Sequence, residues 1–300
     1  MKTVPRVVAT LVTHNRPDDL RAAVAALRSQ SVPLSAILVL DNASEVPAAS
    51  ILEEEDVIVI RSEENLGGAA GFARALQEAL TLFPDWIWIM DDDAVPATDA
   101  LERLLAPGFH EDPRVGALCS AVYEQEKLAL VHRRSYNRWL AMEKPIPAQC
   151  YSTPACDIET GSFVGFLARA ATVAAIGAPD ASFFIAYDDT EYSLRIRRAG
   201  QRILLVPDSR IDHFRKPEAR MRRNPFGLRH YYNIRNRIVV ASRHCAWPAL
   251  GRLSALIQGM AIWLSSQRPM RSSSLAFFGR AVRDGLAMCR NGRHIPPTII

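Results

Sequence analysis

Short apolar runs recur through the N-terminal part of the chain, and each is closed by polar or glycine residues. Val7 to Val12 is a β-branched run that opens into Thr13-His14-Asn15-Arg16-Pro17. Ala36 to Leu40 ends in Asp41-Asn42-Ala43-Ser44, and Val57 to Ile60 leads to Asn65-Leu66-Gly67-Gly68-Ala69-Ala70-Gly71. Trp86 to Met90 runs straight into Asp91, Asp92 and Asp93. Runs this short, apolar throughout, predict strands buried on both faces of a parallel sheet. Between them Leu20, Val24 and Leu27 predict a helix from Asp18 to about Gln30, with Asp18 and Asp19 in its first turn. A second helix is predicted from about Phe72 to Leu82. Such alternation predicts an α/β fold with a doubly wound, mainly parallel sheet flanked by helices, whose ligands bind at the carboxyl edge.

The pattern then loosens. Asp99 to Leu105 reads as a helix and Val115 to Tyr123 as a strand. Residues 124–157, with Pro145, Pro147 and Pro154, lack periodicity and are expected to be irregular. Thr160 to Leu167 reads as one strand after a turn, and Ala170 to Ile176 as a helix ended by Gly177. Phe183 to Tyr187 delivers Asp188 and Asp189 to a helix ending at Gly200. One of these aspartates can cap that helix, which leaves the other for chemistry. Ile203 to Val206 reads as a strand, followed by Ile211-Asp212-His213-Phe214. From Tyr231 onward the chain is helical and basic: Leu253, Leu256, Ile257, Met260 and Leu264 repeat at helical spacing, as do Leu275, Phe278, Val282 and Leu286. The expected division is a sheet domain over 1–230 and an amphipathic helical region over 231–300.

Composition changes this picture in one respect. The 300 residues are 49% hydrophobic and 23% charged, an ordinary globular balance. The five cysteines show no metal-ligand spacing, no apolar run could span a bilayer, and the opening residues lack a secretory leader. A cytoplasmic protein with reduced thiols is therefore expected. The net charge of +4, however, hides a split: residues 1–190 hold 15 Lys+Arg against 27 Asp+Glu, and residues 191–300 hold 21 against 5. A basic C-terminal part expects an anionic partner, such as a nucleotide phosphate or an acidic membrane surface, unless the two parts neutralise each other. Nucleic acid is not expected, because the arginines are dispersed on apolar helices without stacking aromatics.

The candidate chemistry starts from the three aspartates. Like charges this close repel and lose hydration, so a divalent cation is the simplest agent to hold them; a solvated acidic turn is the alternative. Side chains alternate along an extended chain, which groups Asp91 with Asp93 and turns Asp92 away. Gly67-Gly68-Ala69-Ala70-Gly71 matches neither GxGxxG nor GxxxxGK[ST], which argues against a dinucleotide dehydrogenase and a P-loop enzyme. Gly67 and Gly68 could still admit a ligand close to the backbone, or merely form a tight turn. His213 alone reads as structural unless the fold carries it to Asp91 and Asp93.

VVATLVTHNR, VLDNAS, ENLGGAAGFARAL, WIWIMDDDAVP, GFLARAATVAAIG, FFIAYDDTEYSLRIRRAG and the later His213, in that order over roughly Val7 to Arg237, resemble the family 2 glycosyltransferases of GT-A fold. NLGGAAGF with the aspartate strand, and YYNIRNR, look most like the bacterial galactofuranosyltransferase and rhamnosyltransferase branch. The resemblance implies an inverting transferase. Asp91 and Asp93 would be a DxD-type pair holding Mn²⁺ or Mg²⁺ with His213, and Asp189 the general base. Asp188 and Glu191 would bind the acceptor. Thr13, Asn15, Arg16, Asp41, Asn42, Asn65, Gly67, Gly68, Arg74, Asp91 and Asp92 would line the nucleotide. It further implies nucleotide-sugar binding by 1–123 and acceptor binding and catalysis by 124–230. The donor would be a UDP-sugar, UDP-galactofuranose ahead of dTDP-rhamnose, and the acceptor a glycan or lipid-linked glycan of the cell envelope. The C-terminal helices could touch an anionic membrane on its inner face or another copy of the chain in a homo-oligomer. A sugar nucleotidyltransferase and a non-enzymatic anion binder are the competing classes; the first lacks its expected glycine- and basic-rich loop after the first strand.

Overall fold

The structure, a computed structural model, describes residues 4–52, 56–106, 108–214, 224–266 and 272–291. Residues 267–271 and 292–300 of the expected helical region thus lie outside the described residues. The first elements alternate as the pattern predicts: β1 (Val7–Thr13), α1 (Pro17–Arg28), β2 (Ala36–Asn42), α2 (Ala48–Ile51), β3 (Val57–Ser62), α3 (Gly67–Leu80) and β4 (Trp86–Asp91). These strands pair in parallel in the order β4-β1-β2-β3. Their registers set Val12 opposite Asp91 and Thr13 opposite Asp41, so the carboxyl ends fall level along one edge. Both faces of β1, β2 and β4 are covered, while the edge strand β3 is partly exposed. Val7, Ala9, Trp86 and Trp88 pack with Leu20, Val24 and Leu27 of α1. Val8, Ile87 and Ile89 pack on the other side with Phe72 and Leu76 of α3. That double burial is why the runs of β1, β2 and β4 are apolar at nearly every position.

The rest of the chain is β5 (Ala94–Pro96), α4 (Ala100–Leu105), β6 (Val115–Glu124), β7 (Lys127–Leu128), β8 (Arg133–Asn137), β9 (Met142–Pro145), β10 (Cys156–Ile158), β11 (Thr160–Gly161) and β12 (Phe166–Arg169). It continues with α5 (Ala170–Ile176), α6 (Asp188–Arg198), β13 (Arg202–His213), α7 (Leu228–His244), α8 (Pro248–Ser265) and α9 (Ser272–Asn291). The full sheet runs β10-β13-β6-β12-β4-β1-β2-β3, with β12 antiparallel to both its neighbours and β13 parallel to β6. No helix among the described residues is long and apolar enough to cross a membrane.

Several expectations need correction. Residues 124–157 are not irregular, because β8, β9 and β11 form a small antiparallel sheet that buries Tyr136 and Ile146 nearby. Pro145 ends β9 and Pro147 follows it, so the prolines mark strand ends. Thr160 to Leu167 is two strands, not one. Between them the backbone turns, and the buried guanidinium of Arg133 donates to the carbonyls of Ser162 and Val164 at 3.2 and 2.6 Å. Residues 203–206 and 211–213 belong to a single strand, bulged between Val206 and Arg210. The division at 230/231 falls inside α7, whose Tyr232, Ile234 and Ile238 share a core with Phe183 and Leu194.

Leu167 is fully buried in β12 between β4 and β6. Leu167→Ala is expected to cost about 2–5 kcal/mol, read as a lower denaturant midpoint at unchanged slope.

Candidate active site

Asp91 closes β4, and Asp92 and Asp93 form the turn into β5. That short strand pairs antiparallel with the end of β13, with Ala94 opposite His213, and the Phe214 amide donates to the Asp93 carbonyl at 2.8 Å. The pairing sets His213 Nε2 3.1 Å from Asp93 Oδ1 and 3.9 Å from Asp91 Oδ2. One ligand atom from each of these three residues lies within 4.8 Å of the others, close enough to share one cation. Asp92 turns elsewhere: Thr13 Oγ1 donates to its Oδ2 at 2.8 Å. Arg16 donates to Asp92 Oδ1 at 3.1 Å and to Asp93 Oδ2 at 2.5 Å. Asp91 and Asp93 thus lie by His213 and Asp92 by Thr13, while Asp92 and Asp93 share Arg16; a turn, not strand alternation, sets these directions.

Desolvation and the adjacent Asp93 push the Asp91 carboxyl up to about 6, although 42% of its side chain is open. Burial pushes Asp92 up to about 7 against the pull of Arg16 and Thr13. Burial would raise Asp93 too, but His213 and Arg16 hold it down to about 2. His213 rises in spite of its burial, because Asp93, Asp91 and Glu124 favour its cation.

Behind His213 stands a pair of residues that sequence reasoning missed. Glu124 Oε1 lies 3.3 Å from His213 Nδ1 and 3.2 Å from His132 Nε2, and His132 Nδ1 lies 2.8 Å from Ser162 Oγ. A carboxylate on Nδ1 fixes that nitrogen as the donor and directs Nε2 toward the aspartates. These residues sit on separate elements with no shared spacing, so no local motif could reveal them.

The second acidic group enters from the opposite side. Phe183 to Tyr187 is a tight loop with positive φ at Phe184, Ala186 and Tyr187. Tyr187 is the N-cap residue of α6, so neither Asp188 nor Asp189 caps that helix; both lie in its first turn. The loop is pinned from α7. Asn236 Nδ2 lies 2.8–3.0 Å from the carbonyls of Phe183, Ile185 and Ala186. Arg235 donates to those of Ser182 and Phe183 at 2.6 and 3.0 Å. On its other side the Ala69 amide donates to Phe184 O at 3.0 Å. Gly67 has φ +77°, and a Cβ there would fall 2.4 Å from the Phe184 carbonyl. Its glycine thus serves close approach of this loop. The amides of Leu66 and Gly67 already donate to Asn42 Oδ1 and Asn65 Oδ1.

Asp189 Oδ2 accepts from Arg134 Nη2 at 3.2 Å, and the Arg134 guanidinium also pairs with Glu143 at 3.2 Å. Arg134 and Glu143 come from β8 and β9, inside the stretch read as irregular. Burial, reinforced by neighbouring Asp189, pushes Asp188 up to about 8.

These groups border one cleft of about 910 Å³. Of the residues expected at the site, Thr13, Arg16, Asn42, Asn65, Gly67, Gly68, Asp91, Asp92, Asp93, Asp188, Asp189 and His213 line it. Four others are engaged elsewhere. Asp41 is fully buried, accepting from the amides of Ser44 and Ala48 at 2.8 and 3.0 Å and from Arg61 at 2.6 Å. Asn15 accepts from the Glu45 amide at 2.7 Å. Arg74 donates to Arg61 O, and Glu191 is buried against Arg195 and His244. His14, Arg134, Glu143, Asn233 and Arg237 line the cleft without having been anticipated.

A sequence profile described as glycosyl transferase family 2 matches residues 9–171. The chain belongs to that family. Among its relatives is the galactofuranosyltransferase GlfT1 of Mycolicibacterium smegmatis, 33% identical over 201 residues, covering 65% of this chain and 66% of the relative. GlfT1 of Mycobacterium tuberculosis is 34% identical, covering 65% of each. The galactofuranosyltransferase GlfT2 of M. smegmatis is 26% identical over 94% of this chain, which spans only 47% of that longer protein. The fold is that of solved GT-A family structures. GalNAc-T7 with UDP, GalNAc and Mn²⁺ aligns at TM-score 0.68 and 15% identity, covering 97% of this chain and 57% of that one. Staphylococcus aureus TarS 1-349 with UDP-GlcNAc aligns at 0.61 and 14%, covering 95% and 81%.

Asp41 offers a direct check on what the edge residues do. Asp41→Ala strips two amides and Arg61 of their acceptor and is expected to cost about 2–4 kcal/mol of stability, with nucleotide affinity little changed. Thermal melts and calorimetry on the same variant separate the two effects.

Proposed function

We propose that the chain is a metal-dependent inverting glycosyltransferase that moves galactofuranose from UDP-galactofuranose to a glycan or lipid-linked glycan in cell-surface polysaccharide synthesis. The observation that carries the reading is the convergence of Asp91, Asp93 and His213 in one cleft with the Asp188–Asp189 pair. The galactofuranosyltransferase relatives support galactofuranose, and the UDP and UDP-GlcNAc bound to the solved neighbours support a UDP donor, with Mn²⁺ in one of them. dTDP-rhamnose is the competing donor.

The donor set fits a divalent cation. Two carboxylates and an imidazole suit Mn²⁺ or Mg²⁺, and Asp91, pushed up to about 6 by burial and by Asp93, would be stabilised as an anion by one. Asp91, Asp93 and His213 would hold it, with Glu124 orienting His213. Bound there, the ion would act as a Lewis acid that offsets charge on the departing nucleoside diphosphate. Thr13 and Arg16 keep Asp92 and Asp93 in place, and Asn42 and Asn65 form the adjoining floor for the nucleotide.

Asp189 is the base in this reading. The acceptor oxygen bonds to the anomeric carbon as the bond to the diphosphate oxygen breaks, and the hydroxyl proton passes to an Asp189 oxygen, giving inversion. The aspartate pair supports the choice: burial pushes Asp188 up to about 8, which suits it to bind an acceptor hydroxyl. Asp189 faces the Arg134 cation instead. Asp189→Asn is expected to lower transfer by at least about 10³-fold while UDP still binds; transfer at the wild-type rate would remove the assignment. Asp93→Ala and His213→Ala should each weaken Mn²⁺-dependent UDP binding about tenfold or more, measured by calorimetry.

An anionic bilayer on the inner face of the cell membrane is the further partner. Leu250, Leu253, Ile257, Met260 and Leu264 form one row along α8, each 40–63% exposed. That helix carries a single charge, Arg252, within the strongly basic C-terminal part. Vesicles containing phosphatidylglycerol should co-float the protein, and Leu253→Glu/Ile257→Glu should abolish it. Unaltered flotation of that variant, or a dimer through α8, would reassign the row.

A further inference from the structure

One face of α7 looks into the cleft with a chemistry that neither the cation site nor the base uses. Arg229, Asn233 and Arg237 all line the cleft and recur every four residues, so they stand in one row along the helix. Arg16 and Arg134 each hold two carboxylates. Arg237 differs. Its Nη1 donates to the Gln258 side-chain oxygen and its Nη2 to Asn233 Oδ1 at 3.3 Å, both neutral acceptors. Its guanidinium carbon lies 5.0 Å from the centre of the Tyr187 ring. The Nε of Arg237 is buried with no hydrogen-bond acceptor, and among the described residues the cleft's arginine–carboxylate pairs are those of Arg16 and Arg134, not of Arg237.

A guanidinium fixed by two amides and an aromatic face, with a buried donor still unmatched, is costly to keep unless something anionic completes it. Its position narrows the ligand. Tyr187 immediately precedes Asp188 and Asp189, so an anion on Arg237 would lie on the side of the cleft that carries those two residues. Planar, forked donors suit the tetrahedral oxygens of a phosphoester.

We propose that Arg237, set by Asn233 and extended along α7 by Arg229, forms a binding site for a phosphate-type anion. This deepens the transferase reading and rests on it only for the source of the anion. That source is either a phosphate carried by the acceptor, as on a phospholipid-linked glycan, or the diphosphate of the donor.

Calorimetry of the full chain with three probes tests this: octyl phosphate, inorganic pyrophosphate, and UDP with Mn²⁺. Arg237→Gln should weaken at least one of them about tenfold or more, with Arg237→Lys recovering part of the loss. Loss confined to octyl phosphate assigns the site to the acceptor; loss confined to UDP and pyrophosphate assigns it to the donor. Both outcomes uphold an anion site. Arg229→Gln, an exposed change on the same helix face, should weaken the same probe more mildly and guards against misfolding of the first variant. Wild-type binding of all three probes by Arg237→Gln, or no binding of any probe by the wild type, overturns the proposal. Octyl phosphate binding that depends on Arg237 in a chain that ignores UDP would keep the site and sink the transferase reading.

Discussion

The site depends on one short pairing, that of β5 with the end of β13. β4 alone would deliver Asp91 to the sheet edge and leave Asp92 and Asp93 to solvent. Because Ala94 pairs with His213, and the Phe214 amide closes on the Asp93 carbonyl, the turn is locked and an imidazole is brought beside two carboxylates. A histidine 120 positions downstream of Asp93 thus becomes its neighbour by backbone geometry, before any side chain contributes. Glu124, at the end of the adjacent β6, then fixes which imidazole nitrogen faces the aspartates. The electrostatics follow from that placement: Asp93 is held down by His213 and Arg16, while Asp91 and Asp92, less well served, are pushed up.

The opposite wall of the cleft is organised by a different principle. The loop from Phe183 to Tyr187 has three residues in the left-handed region, a conformation costly for Phe, Ala and Tyr. It persists because its carbonyls are held from outside, by Arg235 and Asn236 of α7 and by the Ala69 amide of α3. Gly67 is the other half of that contact. The YYNIRNR segment therefore does two jobs at once. Arg235 and Asn236 point back to clamp the loop, and Asn233 and Arg237 point into the cleft.

How much of this could be read from residues alone follows from the range of each interaction. The β1–β4 half was legible almost to the residue, because β1, β2 and β4 are buried on both faces and its helices carry one apolar face. Asp91–Asp93 stood out because three consecutive carboxylates after a buried strand need partners, and the structure supplies Thr13, Arg16 and His213 from elsewhere in the chain. Asp41 shows the limit: a carboxylate at a strand end looks the same whether it meets a ligand or, as here, two amides and Arg61. Glu191 is a second case, turned toward Arg195 and His244 by its position on α6. The small β8-β9-β11 sheet escaped notice because its strands are two to five residues long, too short for alternation to show. Arg134 and Glu143 were lost with it.

The family match stops at residue 171, before Asp188, Asp189, His213 and all of α7. Within it lie the level strand ends and the aspartate turn, the parts whose geometry is set by a parallel sheet. Beyond it lie the parts that must fit whatever is brought to that sheet. Yet His213 stands beyond the boundary and faces Asp93 within it, so the two portions cannot be separated as donor and acceptor modules. The acidic turn is completed by β13, and the loop carrying Asp188 and Asp189 is held by α3 on one side and α7 on the other. Each half of the cleft is stabilised by an element of the other half, and α7, which runs across residue 230, holds the Phe183–Tyr187 loop from the C-terminal side.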